Sequence, residues 1–226
     1  MLTPLQRRVA TLVASLAEAD GFALAGGAAL IVRGEVARPT RDLDFFGLSP
    51  TDVDRLAPVF ERALAEDNLS FDRLQVGSGF ARYVVHDGTD ATEVDLASDA
   101  RLFPAEPGQL SPTLSTLELA VDKVLAIFGR AEARDFVDLQ SILRHHDLDE
   151  LFRLAKEKDP GFLPSVFADM LRRFSRFRPD EIPLDPAGIQ RLQADIVSWE
   201  KAARSLAYTQ GSQDTRDLGH DQGLGI

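Results

Sequence analysis

Two short motifs in one segment constrain the fold of this chain more than any other feature of its sequence. The first is the diglycine Gly26-Gly27, which follows a short apolar run and precedes the helix-like run 28–32. Glycine permits backbone angles and a close backbone approach that a side chain would block. The second is Asp42-Leu43-Asp44, which opens another apolar run. Strand residues i and i+2 share a face, so both carboxylates should point the same way.

Each motif has a chemical use and an ordinary alternative. Backbone N–H groups at a glycine turn that enters a helix can bind an anion such as phosphate. Carboxylates are the ligands that Mg²⁺ takes beside substrate phosphates. Taken singly, a diglycine is often only a turn, and an Asp-x-Asp is often a solvated strand edge. Together and in this order, they predict a phosphate site next to a metal site.

Composition limits the classes of protein that remain. With 226 residues and 44% hydrophobic content, the chain is long enough for one or two domains with a real core. It contains no cysteine, which excludes disulfides, thiolate zinc sites and a catalytic cysteine. The start of the sequence lacks the basic, apolar and small-residue pattern of a secretory leader, which argues against one, and no apolar run approaches the roughly 20 residues of a membrane helix. We therefore expect a cytoplasmic protein without a membrane partner.

Charge argues against indiscriminate binding of nucleic acid. The net charge is −11 and the pI is near 4.8, whereas nucleic-acid binding depends largely on Lys and Arg contacts to phosphate. An RNA substrate would need a local basic patch or a metal ion. The densest basic segment, 172–178, mixes arginines with Phe174 and Phe177. Such a helix could contact phosphates and stack on bases, or it could bury its phenylalanines in a core.

The order of predicted elements indicates an α+β fold with a mixed or antiparallel sheet. Helices should begin near Pro4 and Pro50, each just after a Thr or Ser cap. Period-two patterns predict strands near 71–76, 80–86 and 91–96, joined as antiparallel hairpins beside the Asp42 strand. The last of these strands carries Glu93 and Asp95 on one face. Acids on adjacent strands repel one another without a cation, so these two either share a metal site with Asp42 or face solvent at an edge.

The second half of the chain is predicted to be helical. Segment 101–112 is rich in proline and reads as a linker, which places a domain boundary near residue 110. We therefore expect a first domain over 1–110, a helical bundle over 111–209, and a disordered tail over 210–226. The tail is polar, rich in glycine and without periodicity.

The motifs together resemble a known superfamily. The pattern GGAAL…R-x-x-R-D-L-D-F-F resembles the signature of DNA-polymerase-β-like nucleotidyltransferases, and it looks most like the AbiEii/AbiGii (MenT-type) toxin family. A second match supports this. The family's L-x-x-x-K and R-D-x-x-D-L motifs stand here at 119–123 and 134–139.

The resemblance implies a set of site residues. It implies that Lys123 neutralises a triphosphate, although a lysine bordering an apolar stripe can also snorkel to solvent. It implies that Asp138 positions the nucleotide or the acceptor, and that Asp95, or Glu93 in its place, completes a second metal site or acts as general base. The expected nucleotide-binding residues are Gly26, Gly27, Arg41, Lys123 and Asp135, and the expected ligands of Mg²⁺ or Mn²⁺ are Asp42, Asp44 and Asp95.

The resemblance also implies an activity. It indicates a metal-dependent enzyme that transfers NMP from an NTP to an acceptor hydroxyl, with tRNA as acceptor, acting as the toxin of a toxin–antitoxin or abortive-infection system with a cognate antitoxin. Two alternatives remain open. One is nucleotidylation of a small cationic acceptor such as an aminoglycoside, which would suit an acidic surface. The other is a degenerate nucleotidyltransferase fold that acts only as a binding module.

Overall fold

The chain folds as two compact units, Met1–Leu119 and Ala120–Ile226. The structure is a computed structural model that describes residues 1–220, with side chains described through residue 209. The predicted boundary near residue 110 lies before this division. The proline-rich segment belongs to the first unit because its end is bonded to strand β1: Leu24 N donates to Pro112 O at 2.8 Å, and Leu114 N donates to Leu24 O at 2.9 Å.

The first unit alternates helices and strands in the expected order. Thr3 caps the first helix by accepting from Gln6 N, and Ser49 caps the third by accepting from Asp52 N, each with proline in the first helical turn. The predicted starts of these two helices are therefore confirmed. The elements are α1 Pro4–Ser15, β1 Ala23–Ala25, α2 Gly26–Val32, β2 Asp42–Gly47, α3 Pro50–Glu66, β3 Ser70–Gly77, β4 Phe80–His86 and β5 Ala91–Ser98.

The five strands form one mixed sheet in the order β1-β2-β5-β4-β3. β2 and β5 run parallel, and every other neighbouring pair is antiparallel. The α+β class and the hairpins β3–β4 and β4–β5 are thus confirmed. The edges are β1, which has only three residues, and β3, whose pairing with β4 shifts register between Arg73 and Gln75. Leu74 is the extra residue of this β-bulge and is 57% exposed.

One face of the sheet is covered by α1 and α3. The strand residues on that face are buried, and they include Leu43, Phe45, Tyr83, Val94 and Leu96. Tyr83 shows how α3 is seated, since its ring meets Phe60 edge-on at 5.5 Å and its hydroxyl donates to Glu61 Oε1 at 3.0 Å. Because side chains alternate along a strand, the intervening residues of β2, β4 and β5 lie on the opposite face.

A buried polar side chain ties α1 to the two central parallel strands. Gln6 is only 2% exposed, and its amide donates to Thr40 O at 3.0 Å and to Thr92 Oγ1 at 3.3 Å. Thr40 lies just before β2, and Thr92 lies in β5. Gln6 therefore connects the helix to the segment in which both strands enter the sheet.

The second unit is helical, as expected. The helices are α4 Thr116–Gly129, α5 Ala133–Ile142, α6 Leu148–Lys158, α7 Pro164–Leu171 and α8 Pro186–His220. The division after Leu119 falls within helix α4. The last helix contacts α5, α6 and α7. It takes up residues 210–220 of the predicted disordered tail, and residues 221–226 lie outside the described residues. No helix in the described part of the chain is long and apolar enough to cross a membrane.

The basic segment that could have stacked on RNA bases packs differently. Arg172–Arg176 forms a 3₁₀ helix, and its Phe174 is buried in edge-on contact with Phe136 at 5.2 Å. Arg172 is paired with Glu200 at 3.2 Å. The phenylalanine of this segment therefore belongs to the core of the second unit, which agrees with the second of the two interpretations.

Replacing Gln6 should weaken the first unit. Gln6→Ala leaves the buried carbonyl of Thr40 without this donor, so we expect the free energy of unfolding to fall by about 1–3 kcal/mol. The neighbouring Arg7 is exposed and provides the control, since Arg7→Ala should change stability by no more than about 0.5 kcal/mol. Urea unfolding of the two variants measures both values. Equal losses would show that the Gln6 contacts do not anchor α1.

Candidate functional site

The open face of the sheet gathers four acidic residues at the junction of β2 and β5. In the parallel register, Asp42 lies opposite Glu93 and Asp44 lies opposite Asp95. Adjacent strands are about 4.8 Å apart, and i, i+2 neighbours share a face. We call Asp42, Asp44, Glu93 and Asp95 the carboxylate cluster. Its two expected halves, Asp42 with Asp44 and Asp95 with Glu93, are brought together as the sequence predicted.

A guanidinium on the next strand holds one member of the cluster. Arg82 of β4 lies opposite Asp95 and donates to both of its oxygens, Nε to Oδ1 at 2.7 Å and Nη2 to Oδ2 at 2.5 Å. These hydrogen bonds raise the pKa of Arg82 above its ordinary value, against the lowering effect of burial, and the charges of Glu93 and Asp44 act in the same direction as Asp95. Asp95 is 8% exposed. Asp95, the expected third metal ligand, is therefore paired with the guanidinium of Arg82.

Asp44 lies against the diglycine. Ala25 of β1 is its partner across the antiparallel pair, and a Cβ atom on Gly26 would overlap Asp44 Oδ2. Gly26 also has φ of +57°, which favours glycine. Glycine is thus required here because a carboxylate occupies the space that its side chain would fill.

The second glycine makes room for an arginine that sequence reasoning did not assign to the site. A Cβ atom on Gly27 would lie 2.7 Å from Arg38 Nη2, and Arg38 is itself buried. Its Nη1 donates to Pro39 O at 2.9 Å. The sequence predicted that another group would approach the backbone closely at Gly26 and Gly27. In the structure these groups are the side chains of Asp44 and Arg38. Helix α2 has only seven residues, so its dipole is small.

Residues just before β2 orient Asp42. Thr40 Oγ1 donates to Asp42 Oδ1 at 2.5 Å, and Thr40 is buried. Arg41, an expected nucleotide-binding residue, has an exposed side chain. Its carbonyl accepts from Thr92 Oγ1 and Glu93 N, each at 3.1 Å, and this pairs the segment with β5. The backbone of Arg41 is thus structural, while its side chain stays accessible.

The second unit holds the other expected site residues in a network of ion pairs. Lys123 of α4 is 5% exposed, and its Nζ lies 3.1 Å from Asp135 Oδ1 and 2.9 Å from Asp138 Oδ2 of α5. Arg130 donates Nε to Asp135 Oδ2 at 3.1 Å. Lys123 therefore does not snorkel to solvent. Two carboxylates and two cations balance one another, which lowers the cost of burying them.

Asp135 also closes the start of α5. Its Oδ2 accepts from Glu132 N at 3.2 Å, as part of a capping box. Burial raises the pKa of Asp135, but the charges and hydrogen bonds of Lys123 and Arg130 outweigh this effect and hold the pKa below its ordinary value. Asp135 therefore stays ionised and stabilises the α4–α5 connection, in addition to any contact with nucleotide.

The residues on the open face fit a divalent cation in chemical type. Mg²⁺ is usually held by one or two carboxylates together with substrate phosphates, and Asp42 and Asp44 offer two on one strand face. The room that Gly26 leaves for the Asp44 carboxylate is consistent with that role. A complete protein cage is not formed, since no three His, Asp or Glu side chains within the described residues are arranged to hold a metal ion.

Three polar residues of the site were missed or left without a role: Arg38, Thr40 and Arg82. Arg38 and Thr40 stand in the segment R-x-x-R-D-L-D that marks β2, so their closeness in sequence to Asp42 was an available signal. For Arg82, the only signal in the sequence was the alternation of side chains along β4, which indicates the face of the sheet on which it lies. Its pairing with Asp95 depends on the register of two hairpin strands, which the sequence does not specify to one residue.

Comparison with known proteins identifies the family. The model of the family described as "Nucleotidyl transferase AbiEii toxin, Type IV TA system" matches residues 11–217. The chain belongs to this family. It is a nucleotidyltransferase, and the enzyme class and the toxin family indicated by the sequence motifs are confirmed. No curated protein matches the chain significantly in sequence.

Solved structures share the fold of this AbiEii-family chain. MenT4, a nucleotidyltransferase toxin from Mycobacterium tuberculosis H37Rv, is 17% identical with a TM-score of 0.62, over 90% of this chain and 91% of MenT4. JHP933 from Helicobacter pylori is 17% identical with a TM-score of 0.54, over 96% of this chain and 95% of JHP933. At this identity the similarity concerns the fold, and it extends over nearly the whole chain.

Substitution of Gly26 tests the contact with Asp44. Gly26→Ala should reduce the free energy of unfolding by about 2–5 kcal/mol, since a positive φ costs about 1–2 kcal/mol and displacing the Asp44 carboxylate adds about 1–3 kcal/mol. Gly34 has φ of +78° with nothing within 4 Å, so Gly34→Ala should show only the backbone cost. Urea unfolding compares them, and equal losses would mean that Asp44 moves aside without penalty.

The Lys123 network should make stability depend on pH. The lowered pKa of Asp135 contributes stability above the ordinary aspartate pKa of about 4, and this contribution is lost as pH falls through the folded-state pKa. Asp135→Asn should therefore lose about 3–5 kcal/mol at neutral pH and clearly less at about pH 3. Exposed Asp149 provides the control variant, Asp149→Asn. A loss for Asp135→Asn that is the same at both pH values would contradict this role.

Proposed function

We propose that this AbiEii-family enzyme uses the carboxylate cluster to bind Mg²⁺ or Mn²⁺ together with an NTP, and that it transfers NMP to a hydroxyl of an RNA acceptor, with tRNA as the favoured class. The observation that carries the proposal is the position of Asp42 and Asp44 on one strand face, in register with Glu93 and Asp95 and against the diglycine turn. The membership of the family, shown for residues 11–217, supplies the reaction class.

The chain's own residues would perform positioning and charge neutralisation. Asp42, oriented by Thr40, and Asp44, seated against Gly26, would hold the divalent cation, which supplies Lewis-acid stabilisation of phosphate charge. The acceptor oxygen forms a bond to the α-phosphorus, the bond from that phosphorus to the α–β bridging oxygen breaks, and pyrophosphate leaves. The hydroxyl proton passes to a base, for which Asp95 is the candidate once Arg82 releases it.

The assignment of Lys123, Asp135 and Asp138 to the nucleotide stays a prediction. Their contacts with one another, and that of Arg130 with Asp135, lie within the second unit. Buried Arg38, which lies against Gly27, and exposed Arg41 are further candidates for phosphate contact, since guanidinium groups bind phosphate oxygens in a bidentate manner.

Biological role is proposed from the family. We infer that the chain acts as the toxin of a toxin–antitoxin pair, and that a cognate antitoxin limits its activity. Induced expression in a bacterial host gives the first test. Growth arrest would support a toxin with an essential acceptor such as tRNA, whereas resistance to an aminoglycoside without arrest would favour the small-acceptor alternative. Neither effect, with no transfer in vitro, would favour a binding module.

Asp44→Asn tests the proposed reaction directly. The variant should lose Mn²⁺ affinity by at least about 100-fold, since even partners of metal ligands contribute 10- to 100-fold. Transfer of label from α-labelled NTPs to total RNA should be lost with it. Asp20 is exposed and distant in sequence, so Asp20→Asn serves as the charge-matched control and should retain both properties. Calorimetry with Mn²⁺, together with the transfer assay for each NTP, measures them. Normal Mn²⁺ binding by a folded Asp44→Asn variant would refute the proposed metal site.

A further inference from the structure

The carboxylate cluster carries more negative charge than a sheet face can hold without a counter-charge. Four acids lie in two adjacent pairs, Asp42 with Glu93 and Asp44 with Asp95. Two like charges a few ångströms apart repel by about 1 kcal/mol in water and by several times more at the lower effective dielectric of a protein surface. Asp95 is the most buried of the four. It is therefore the acid that most needs a cation.

Arg82 meets that need in the folded chain. Its guanidinium contacts both oxygens of Asp95 at 2.7 and 2.5 Å, in the fork geometry that suits a carboxylate. The side chain of Asp95 is 11% exposed and that of Arg82 is 40% exposed, so the pair lies at the open face. Arg82 also lies over the ring of Phe80, with its guanidinium carbon 5.4 Å from the ring centroid. The ring gives the cation a second contact that does not depend on Asp95.

We propose that Arg82 is a built-in counter-ion of the carboxylate cluster that competes with the divalent cation for Asp95. Before metal arrives, Arg82 neutralises Asp95 and so reduces the repulsion within the cluster. When metal binds at Asp42 and Asp44, Asp95 joins it only if the bonds to Arg82 break, so the pair lowers metal affinity in the absence of nucleotide. Arg82 is thus a positioning residue that acts through Asp95. This inference rests on the proposed metal site.

The first test compares metal binding in variants without nucleotide. Arg82→Gln should bind Mn²⁺ about tenfold more tightly than the wild type, because one charge-assisted bond of the pair is worth at least that factor. Arg73 offers a matched control: it is an exposed arginine on the adjacent strand β3, and it pairs with Glu61 on the helix-covered side. Arg73→Gln removes the same charge and should leave Mn²⁺ affinity within about twofold of wild type. Calorimetry with full-length protein and MnCl₂ alone provides the measurement.

A double-mutant cycle separates competition at Asp95 from a general charge effect. In the Asp95→Asn background, Arg82→Gln should change Mn²⁺ affinity by less than about threefold, since the bond that it releases no longer exists. A tenfold gain that persists in this background would overturn the proposal, because the guanidinium would then act only through its charge. Arg82→Lys keeps the charge but cannot make the fork contact, so it should show an intermediate gain. This variant decides the question if Arg82→Gln does not fold, as judged by thermal unfolding.

The outcomes separate this inference from the function on which it rests. If no variant binds Mn²⁺, or if Asp44→Asn binds it normally, the proposed metal site fails and the role of Arg82 fails with it. If Mn²⁺ binding depends on Asp44 but Arg82→Gln binds no more tightly than Arg73→Gln, only the role of Arg82 is overturned. Tighter binding by Arg82→Gln that requires Asp95 supports the proposal.

Discussion

The parallel pairing of β2 with β5 is the interaction on which the candidate site depends. These strands are far apart in sequence, and their register brings Asp42 opposite Glu93 and Asp44 opposite Asp95. Other contacts of the site reach these acids from the neighbouring strands. Arg82 reaches Asp95 from the far side of β5, and the diglycine meets Asp44 from the far side of β2. A slip of one residue between β2 and β5 would send one pair of acids into the face packed by α1 and α3.

The two units differ in how exposed the cations are that pair with their buried aspartates. In the second unit, Lys123 is almost fully buried and contacts both Asp135 and Asp138. In the first unit, the cation that faces Asp95 is partly exposed and reaches it from a neighbouring strand. An ion pair that is open to solvent is held less tightly than one that is enclosed, because water can replace either partner. Of the two, the ion pair on the sheet face should therefore exchange its partners more readily.

The sequence predicted most of what depends on local pattern. Helix caps at Thr3 and Ser49, strand alternation from β3 to β5, and the shared face of Asp42 and Asp44 all follow from neighbours within a few residues. What it did not predict depends on register and packing. The pairing of Arg82 with Asp95 needs the alignment of two strands, and the burial of Lys123 needs the angle between α4 and α5. The domain boundary near residue 110 was predicted from the proline content of segment 101–112. The end of that segment is hydrogen-bonded to β1, a long-range contact that composition does not indicate.

The β-bulge at Leu74 has a consequence for how the protein behaves in a crowded cell. A regular outer strand presents a row of free N–H and C=O groups on which a second chain can add, the first step toward amyloid-like stacking. In β3 the extra residue breaks that row midway, and Asp72 and Arg73 place opposite charges beside the break. The opposite edge, β1, has only three residues, too few to act as a template. Both ends of the sheet are thereby protected against self-association by strand addition: β3 by its bulge and charges, and β1 by its short length and by segment 112–114, which is bonded to Leu24.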